Sequence, residues 1–220
     1  MQNILTPLQH KFLNEFFRPE YETKEFYLTG GTALSAFYLY HRRSIDLDLF
    51  TLSKDSFQLV ERTTQTMSRQ LACEYFPIRI TPSFKHIDIQ SVNERLTLHF
   101  ALEYSPPIKQ PQLFEGIAVS SIEEITVNKI CTALGRTELK DLVDLYFLDK
   151  AGYIIRDYFA LAQTKDGGLT PETLAYTMGL FSVAAIPDFM MKPLTEPELD
   201  QFIESTISWL VEQSKPPGLP

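Results

Sequence analysis

The segment from Ser44 to Thr51 constrains this chain more than any other. It alternates strictly, with Ile45, Leu47 and Leu49 pointing one way and Asp46 and Asp48 the other. A period of two belongs to a strand, here with one apolar and one acidic face. Carboxylates at i and i+2 stand roughly 6 to 7 Å apart along a strand, where they repel each other and can share a divalent cation. Alternation of this kind also describes the solvent side of any half-buried strand, so the meaning of Asp46 and Asp48 rests on what precedes them. Phe26 to Leu28 is a short aromatic and aliphatic run, Thr29-Gly30-Gly31-Thr32 is a tight turn, and Ala33 to Tyr40 reads as helix. Glycine removes the Cβ and lets phosphate oxygens approach backbone N–H groups at the positive end of a helix. Thr32 adds a hydroxyl. A Gly-Gly pair alone only reverses a chain, but beside two strand carboxylates it describes a phosphoryl-transfer site. Mg²⁺ takes hard oxygen ligands and leaves positions for substrate phosphates.

The remaining sequence supplies a core and a frame. With 220 residues, 44% of them hydrophobic and 22% charged, the chain can bury a proper interior, and wholesale disorder is not expected. Twenty Lys and Arg against 28 Asp and Glu leave a net charge of −8, which argues against a broad phosphate-backbone surface and leaves room only for a local basic patch. Cys73 and Cys131 show no metal or redox spacing, and His10, His41 and His86 form no ligand spacing with them, so a zinc site is not expected. The N-terminus has no charged leader followed by an apolar run. The longest apolar stretches, such as Phe181 to Pro187, fall short of the roughly 20 residues that span a bilayer. A cytoplasmic protein without a membrane span is the expectation.

Thr6-Pro7 opens an amphipathic helix through Phe17, and Phe57 to Leu71 reads as a second. Ile78 to Ile80, Phe84 to Ile89 and Leu96 to Tyr104 read as strands. Beyond Pro106-Pro107 a loop through Gly116 reaches Ser121-Ile122-Glu123-Glu124, which has the form of a capping box. From there helices run to about Leu134 and from Glu138 to Lys150, and two more start at Thr170-Pro171 and Thr195-Glu196-Pro197-Glu198. The aromatics from Tyr146 to Phe159 are expected to pack this lobe, and the tail from Lys215 to be frayed or extended. The expected fold is α/β, in the α+β sense: a mixed sheet with flanking helices over residues 1–120, and a helical C-terminal lobe over 121–220 that completes a cleft.

The segments Leu28-Thr-Gly-Gly-Thr-Ala-Leu34 and His41-Arg-Arg-Ser-Ile-Asp-Leu-Asp-Leu-Phe50 resemble the signature of the AbiEii/AbiGii toxin family, a branch of the polymerase β-like nucleotidyltransferase superfamily. The likeness continues, in the family's order, through Gly116-Ile-Ala-Val-Ser-Ser-Ile-Glu-Glu-Ile125, Lys129-Ile-Cys-Thr-Ala-Leu-Gly-Arg136 and Lys140-Asp-Leu-Val-Asp-Leu-Tyr-Phe-Leu148. It implies a nucleotidyltransferase that uses an NTP and Mg²⁺ (or Mn²⁺), the toxin of a toxin–antitoxin or phage-defence pair, with tRNA as a candidate acceptor and a cognate antitoxin as a partner. Residue by residue, it implies that Gly30, Gly31 and Thr32 hold nucleotide phosphates with Arg43 and Ser44 nearby, and that Asp46 and Asp48 ligate the metal. It further implies that Lys129 reaches the triphosphate beside Arg136, and that Asp144, with Asp141, forms the second acidic motif. On spacing alone the Lys129, Arg136, Asp141 and Asp144 group also reads as an ordinary salt-bridged helix pair.

Two departures stand out. Where the family strand often reads Lys-aliphatic-Asp-Phe, this chain has Thr97-Leu98-His99-Phe100, so a third carboxylate gives way to His99. In polymerase β-like enzymes that acid helps activate the attacking hydroxyl. His99, Glu103 on the same strand, and Asp88 on a neighbouring strand are the candidates for its role. A catalytically degenerate protein that binds nucleotide or a partner is therefore the alternative to an enzyme. An acceptor that is a protein hydroxyl or a cationic small molecule is a third reading. The second departure is Tyr40, where glycine is frequent before the His-Arg pair.

Overall fold

The structure is a computed structural model that describes residues 4–215; the expected extended tail beyond Lys215 lies outside the described residues. The chain divides into two compact units after Ile122.

The first unit opens with α1 (Pro7–Phe16). Thr6 accepts from the Gln9 backbone N–H, while its own N–H donates to the Gln9 side chain at 2.9 Å, so two otherwise unpaired amides at the helix start are satisfied together. β1 (Phe26–Thr29) is buried throughout and runs straight into the single turn α2 (Gly30–Ala33). The helix continues over Leu34–Leu39 in the wider π form, and Tyr40 ends it in the left-handed conformation at φ 53° and ψ 33°. That is a backbone state that suits glycine and strains a side-chain-bearing residue, which gives a physical reason for the glycine that the family resemblance leads one to expect here.

β2 (Asp46–Thr51), α3 (Lys54–Gln70), β3 (Glu74–Ile80), β4 (Phe84–Gln90) and β5 (Arg95–Leu102) follow, then β6 (Gln112–Phe114) and β7 (Ile117–Val119). The seven strands form one sheet in the order β3-β4-β5-β2-β1-β7-β6. β2 runs parallel to β5 and β1 parallel to β7, with the other neighbours antiparallel, so the sheet is mixed as expected. One face carries the core. Leu47, Leu49, Ile87, Ile89, Leu98 and Phe100 are fully buried together with Phe12, Phe16, Phe57 and Met67 from α1 and α3. Phe16 stacks edge-on against Phe26 with ring centroids 5.5 Å apart, and Phe26 against Phe100 at 5.9 Å. Each such side chain contributes about 1.5–3 kcal/mol on burial, enough to fix which face of β2 turns inward. With Leu47 and Leu49 committed to the core, period two forces Asp46 and Asp48 to the opposite face.

The second unit opens with α4 (Ile122–Gly135) and continues through α5 (Leu139–Lys150), α6 (Ile155–Lys165), α7 (Pro171–Met178) and α8 (Glu196–Gln213). Thr170 and Thr195 cap α7 and α8 with Pro in the first turn of each, as their sequences dictate. α5 and α8 meet through Tyr146, whose ring stands edge-on to Phe202 at 5.8 Å and whose hydroxyl donates to Glu198 at 3.1 Å.

Four features go beyond the sequence expectation. β6 and β7 lie where a loop was expected, because three-residue strands are too short to show a period. β3 starts at Glu74, upstream of Pro77, since an edge strand tolerates a residue without an N–H and absorbs it in the irregular register between Pro77 and Arg79. α6 was not anticipated; its first flanking residue is Ile154, with no side-chain cap to announce it. The segment after the Gly-Gly turn is partly π-helical rather than regular α-helix.

Candidate active site

The site is built on the sheet face opposite the core. Thr29 pairs with Asp48 across β1 and β2, and the parallel register of β2 with β5 sets Asp46 beside Thr97 and Asp48 beside His99. The Gly30-Gly31 turn therefore leaves β1 next to Asp48. Gly30 has φ +71°, and a Cβ there would run into the Asp48 carboxylate, so glycine is demanded twice, by backbone conformation and by space. At Gly31 a Cβ would collide with the Arg42 guanidinium, with Ser44 Oγ alongside. The turn is thus pressed between a carboxylate and a buried arginine. Arg42 is only 3% exposed and donates from one terminal nitrogen to the Arg43 carbonyl at 3.0 Å.

The resemblance sets Arg43 and Ser44 near the turn, and Arg42 beside them is a further basic residue of this stretch. Arg43 is exposed, Ser44 half-buried with its carbonyl accepting from Gln9 Nε2 at 2.9 Å, and Arg42 is the residue set against the turn. A buried arginine between two other polar residues leaves no periodic trace that would mark it as buried. Thr32 is buried, and its hydroxyl donates to the Asp46 carbonyl, tying the helix start to β2.

Asp46 and Asp48 are half-buried, and the Asp46 carboxylate makes no hydrogen bond or ion pair with the described residues. Asp48 Oδ1 lies 3.0 Å from His99 Nδ1. Burial pulls the His99 imidazole down, but the hydrogen bond and charge of Asp48, with the charges of Asp46 and Asp88 behind it, outweigh that and leave its pKa above the ordinary histidine value. The His99 ring lies against two side chains of β4, Phe84 at 5.6 Å and the edge-on ring of His86 at 4.8 Å. His86 in turn meets Asp88 at 3.3 Å.

The structure separates the three candidates for the missing acid. Asp88 faces Thr97, one strand beyond His99's strand from Asp46, and Arg95 holds it through Nε at 2.9 Å and through a terminal nitrogen. Burial pushes the Asp88 carboxyl up, but Arg95, Thr97 and His86 more than compensate and leave it below the usual carboxylate range. Glu103 lies past the end of β5, its backbone N–H donating to the Thr51 carbonyl at 2.8 Å. Of the three, His99 is the one whose side chain meets the Asp46–Asp48 pair. The donor set on β2 suits a divalent cation: two half-buried carboxylates, one of them with no hydrogen bond or ion pair among the described residues, beside the Gly30-Gly31 turn. Among the described residues no three His, Cys, Asp or Glu side chains close into a metal cage. A cation here would draw remaining ligands from water and substrate phosphates.

In the second unit, α4 and α5 bring together the other predicted group. Lys129 Nζ sits 2.7 Å from Asp141 Oδ1 and 2.6 Å from Asp144 Oδ2, and both carboxylates are fully buried. Arg136 grips Asp141 with two nitrogens, Nε at 2.7 Å from Oδ2 and a terminal nitrogen at 3.3 Å from Oδ1. Two cations and two carboxylates balance, which is how a buried ionic cluster survives desolvation. Burial raises the Asp141 carboxyl, yet Lys129 and Arg136 overcompensate and hold it below its ordinary value. The salt-bridged helix pair that spacing alone allows is therefore present, fully formed, on the residues the resemblance singles out.

A mixed sheet whose core-opposed face carries an Asp-x-Asp pair against a side-chain-free Gly-Gly turn is the scaffold of a nucleotidyltransferase. Solved structures agree with this at the level of fold. MenT4, a nucleotidyltransferase toxin from Mycobacterium tuberculosis H37Rv, superimposes with TM-score 0.61 at 14% identity, covering 93% of this chain and 82% of that one. JHP933 from Helicobacter pylori gives TM-score 0.58 at 20% identity, covering 94% of this chain and 92% of that one. Comparison with curated proteins gave no match. The profile of the nucleotidyl transferase AbiEii toxin family, from type IV toxin–antitoxin systems, matches residues 11–211. The chain belongs to that family and is a toxin-type nucleotidyltransferase. Among the described residues no helix is long and apolar enough to cross a membrane.

Proposed function

We propose that this chain transfers a nucleotidyl group from an NTP to an RNA hydroxyl, with tRNA as the acceptor, in a reaction that depends on Mg²⁺ or Mn²⁺. It would act in the cytoplasm as the toxin of a phage-defence pair with its own antitoxin. The observation that carries the reading is the placement of the Gly30-Gly31 turn directly against Asp48: phosphates approaching the bare turn arrive beside the two β2 carboxylates. The acceptor oxygen bonds to the α-phosphorus as the α–β bridging P–O bond breaks, pyrophosphate leaves, and the hydroxyl proton passes to solvent. A bound divalent cation supplies charge neutralisation at the phosphates.

In this reading Asp46 and Asp48 hold the cation, and Gly30, Gly31 and Thr32 shape the phosphate turn. Arg43 and Ser44 border it, and His99 orients Asp48. Lys129, Arg136, Asp141 and Asp144 hold α4 to α5 within the second unit. The rival is a nucleotide-binding protein without turnover, favoured by a histidine where a third carboxylate serves related enzymes.

Each NTP labelled at the α-phosphate, and separately at the γ-phosphate, is offered with Mg²⁺ to total tRNA and to a mixed protein pool. The proposal expects α-label on tRNA and no γ-label on any acceptor. α-Label confined to protein would overturn the RNA acceptor, γ-label would make the chain a kinase, and Mg²⁺-dependent NTP binding without transfer would establish the rival.

A further inference from the structure

Resting on the RNA-acceptor reading above, we infer that the core-opposed face of the sheet, from Asp48 out to the edge strand β3, is the track for the unpaired RNA segment that carries the acceptor hydroxyl. The bases of that segment stack there on a surface of rings and a guanidinium group. The strand registers lay this surface out in rows. Across β2, β5, β4 and β3, Asp46 lines up with Thr97, Asp88 and Phe76, and Asp48 lines up with His99, His86 and Arg79. Phe84 stands in the next row on β4, on the same face as His86. Neighbouring strands are about 4.8 Å apart, so the rows lead roughly 14 Å from the carboxylates to the sheet edge.

The groups along these rows lie against one another. His99 is edge-on to His86 at 4.8 Å and stands 5.6 Å from Phe84, and the Arg79 guanidinium lies over Phe84 at 6.0 Å from the ring centre. Arg79 is exposed and makes no ion pair among the described residues. Phe76, at the outer end of its row, is 36% exposed. Rings and guanidinium planes on a sheet face are what two or three unpaired bases stack on, whatever their sequence.

Charge decides which form of RNA fits. Arg79 and Arg95 share this face with Glu74 and Asp88, and Arg95, its side chain 56% exposed, already pairs with Asp88. Away from Asp46 and Asp48 the face is therefore close to neutral, and a duplex, which is held through many phosphate contacts, finds little to hold it. A single strand offers base faces instead, and stacking does not depend on the net charge of −8. Nor is the edge open to another strand. Pro77 lacks an N–H and the register slips between Pro77 and Arg79, two devices that guard an edge against strand addition.

The test measures binding of the full chain, by fluorescence anisotropy, to a short fluorescein-labelled single-stranded RNA of mixed sequence and to the same RNA annealed to its complement. Wild type should hold the single strand at least about tenfold tighter than the duplex. Phe76→Ala and Arg79→Lys, which remove a ring and a planar group, should each weaken single-strand binding about tenfold, while Arg62→Ala, on α3 behind the sheet, leaves it unchanged. Mg²⁺-dependent binding of α-labelled NTP should stay at the wild-type level in all three. Phe76→Trp keeps a ring, so it should bind RNA as wild type does and lose indole fluorescence as bases stack on it. Single-strand binding that survives Phe76→Ala and Arg79→Lys together, equal affinity for duplex and single strand, or a matching loss of NTP binding in these variants would overturn the track and leave an RNA acceptor standing. A wild type that binds no RNA would sink the RNA reading, and this inference with it.

Discussion

Gly30 concentrates the argument into one residue, because its backbone conformation and its contact with Asp48 both exclude a side chain. Gly30→Ala should cost about 1–2 kcal/mol in left-handed backbone strain alone. It should also lower nucleotidyl transfer by roughly 100-fold, since displacing a reacting group by an ångström has that scale of effect. Urea unfolding and the transfer rate, measured on the same preparation, check the two effects separately. The demand for glycine and the acidic face of β2 were legible in sequence because turn chemistry and period two are local rules. His99 drew notice only as a departure from a resemblance, and its contact with Asp48 could not be read without the β2–β5 register, a pairing across 51 positions. Arg42, Arg43 and Ser44 are three consecutive polar residues, and nothing local marks which one turns inward.

Helices α4 and α5 are joined by the cluster of Lys129, Arg136, Asp141 and Asp144, and the energetics of that joint are testable apart from catalysis. Lys129→Met removes the cation that two fully buried carboxylates share and should destabilise the chain by about 3–5 kcal/mol in urea unfolding. The Asp141 carboxyl is held below its ordinary value in the folded chain, so its contribution is complete above the unfolded value of about 4 and is lost as pH falls through the lower folded value. Accordingly, the stability gap between wild type and Asp141→Asn, full at pH 7, should shrink progressively below about pH 4. A gap that stayed constant to low pH would contradict the ionic account. Capped helices were the elements sequence showed most plainly: Thr6, Thr170 and Thr195 each stand beside an early proline. α6 lacks such a cap, and β6 and β7 are too short for a period, so local rules had nothing to act on there.

Across the whole molecule, sequence foretold a mixed sheet and a run of helices but not the strand order β3-β4-β5-β2-β1-β7-β6, which long-range pairing decides. That order is what puts His99 beside Asp48 and leaves Asp88 a strand further out, in the hands of Arg95. The net charge of −8 gives no general attraction for RNA, so an RNA acceptor has to be recognised locally, near exposed residues such as Arg43. The family match, over residues 11–211, spans both units. The most direct test of the central claim compares transfer of α-label from NTP by the wild type, Asp46→Asn and Asp48→Asn, with folding checked by circular dichroism. The account predicts transfer in the wild type and a loss of at least about 1,000-fold in each folded variant, as expected when a group stabilising the transition state is removed. Undiminished transfer by either variant would contradict it.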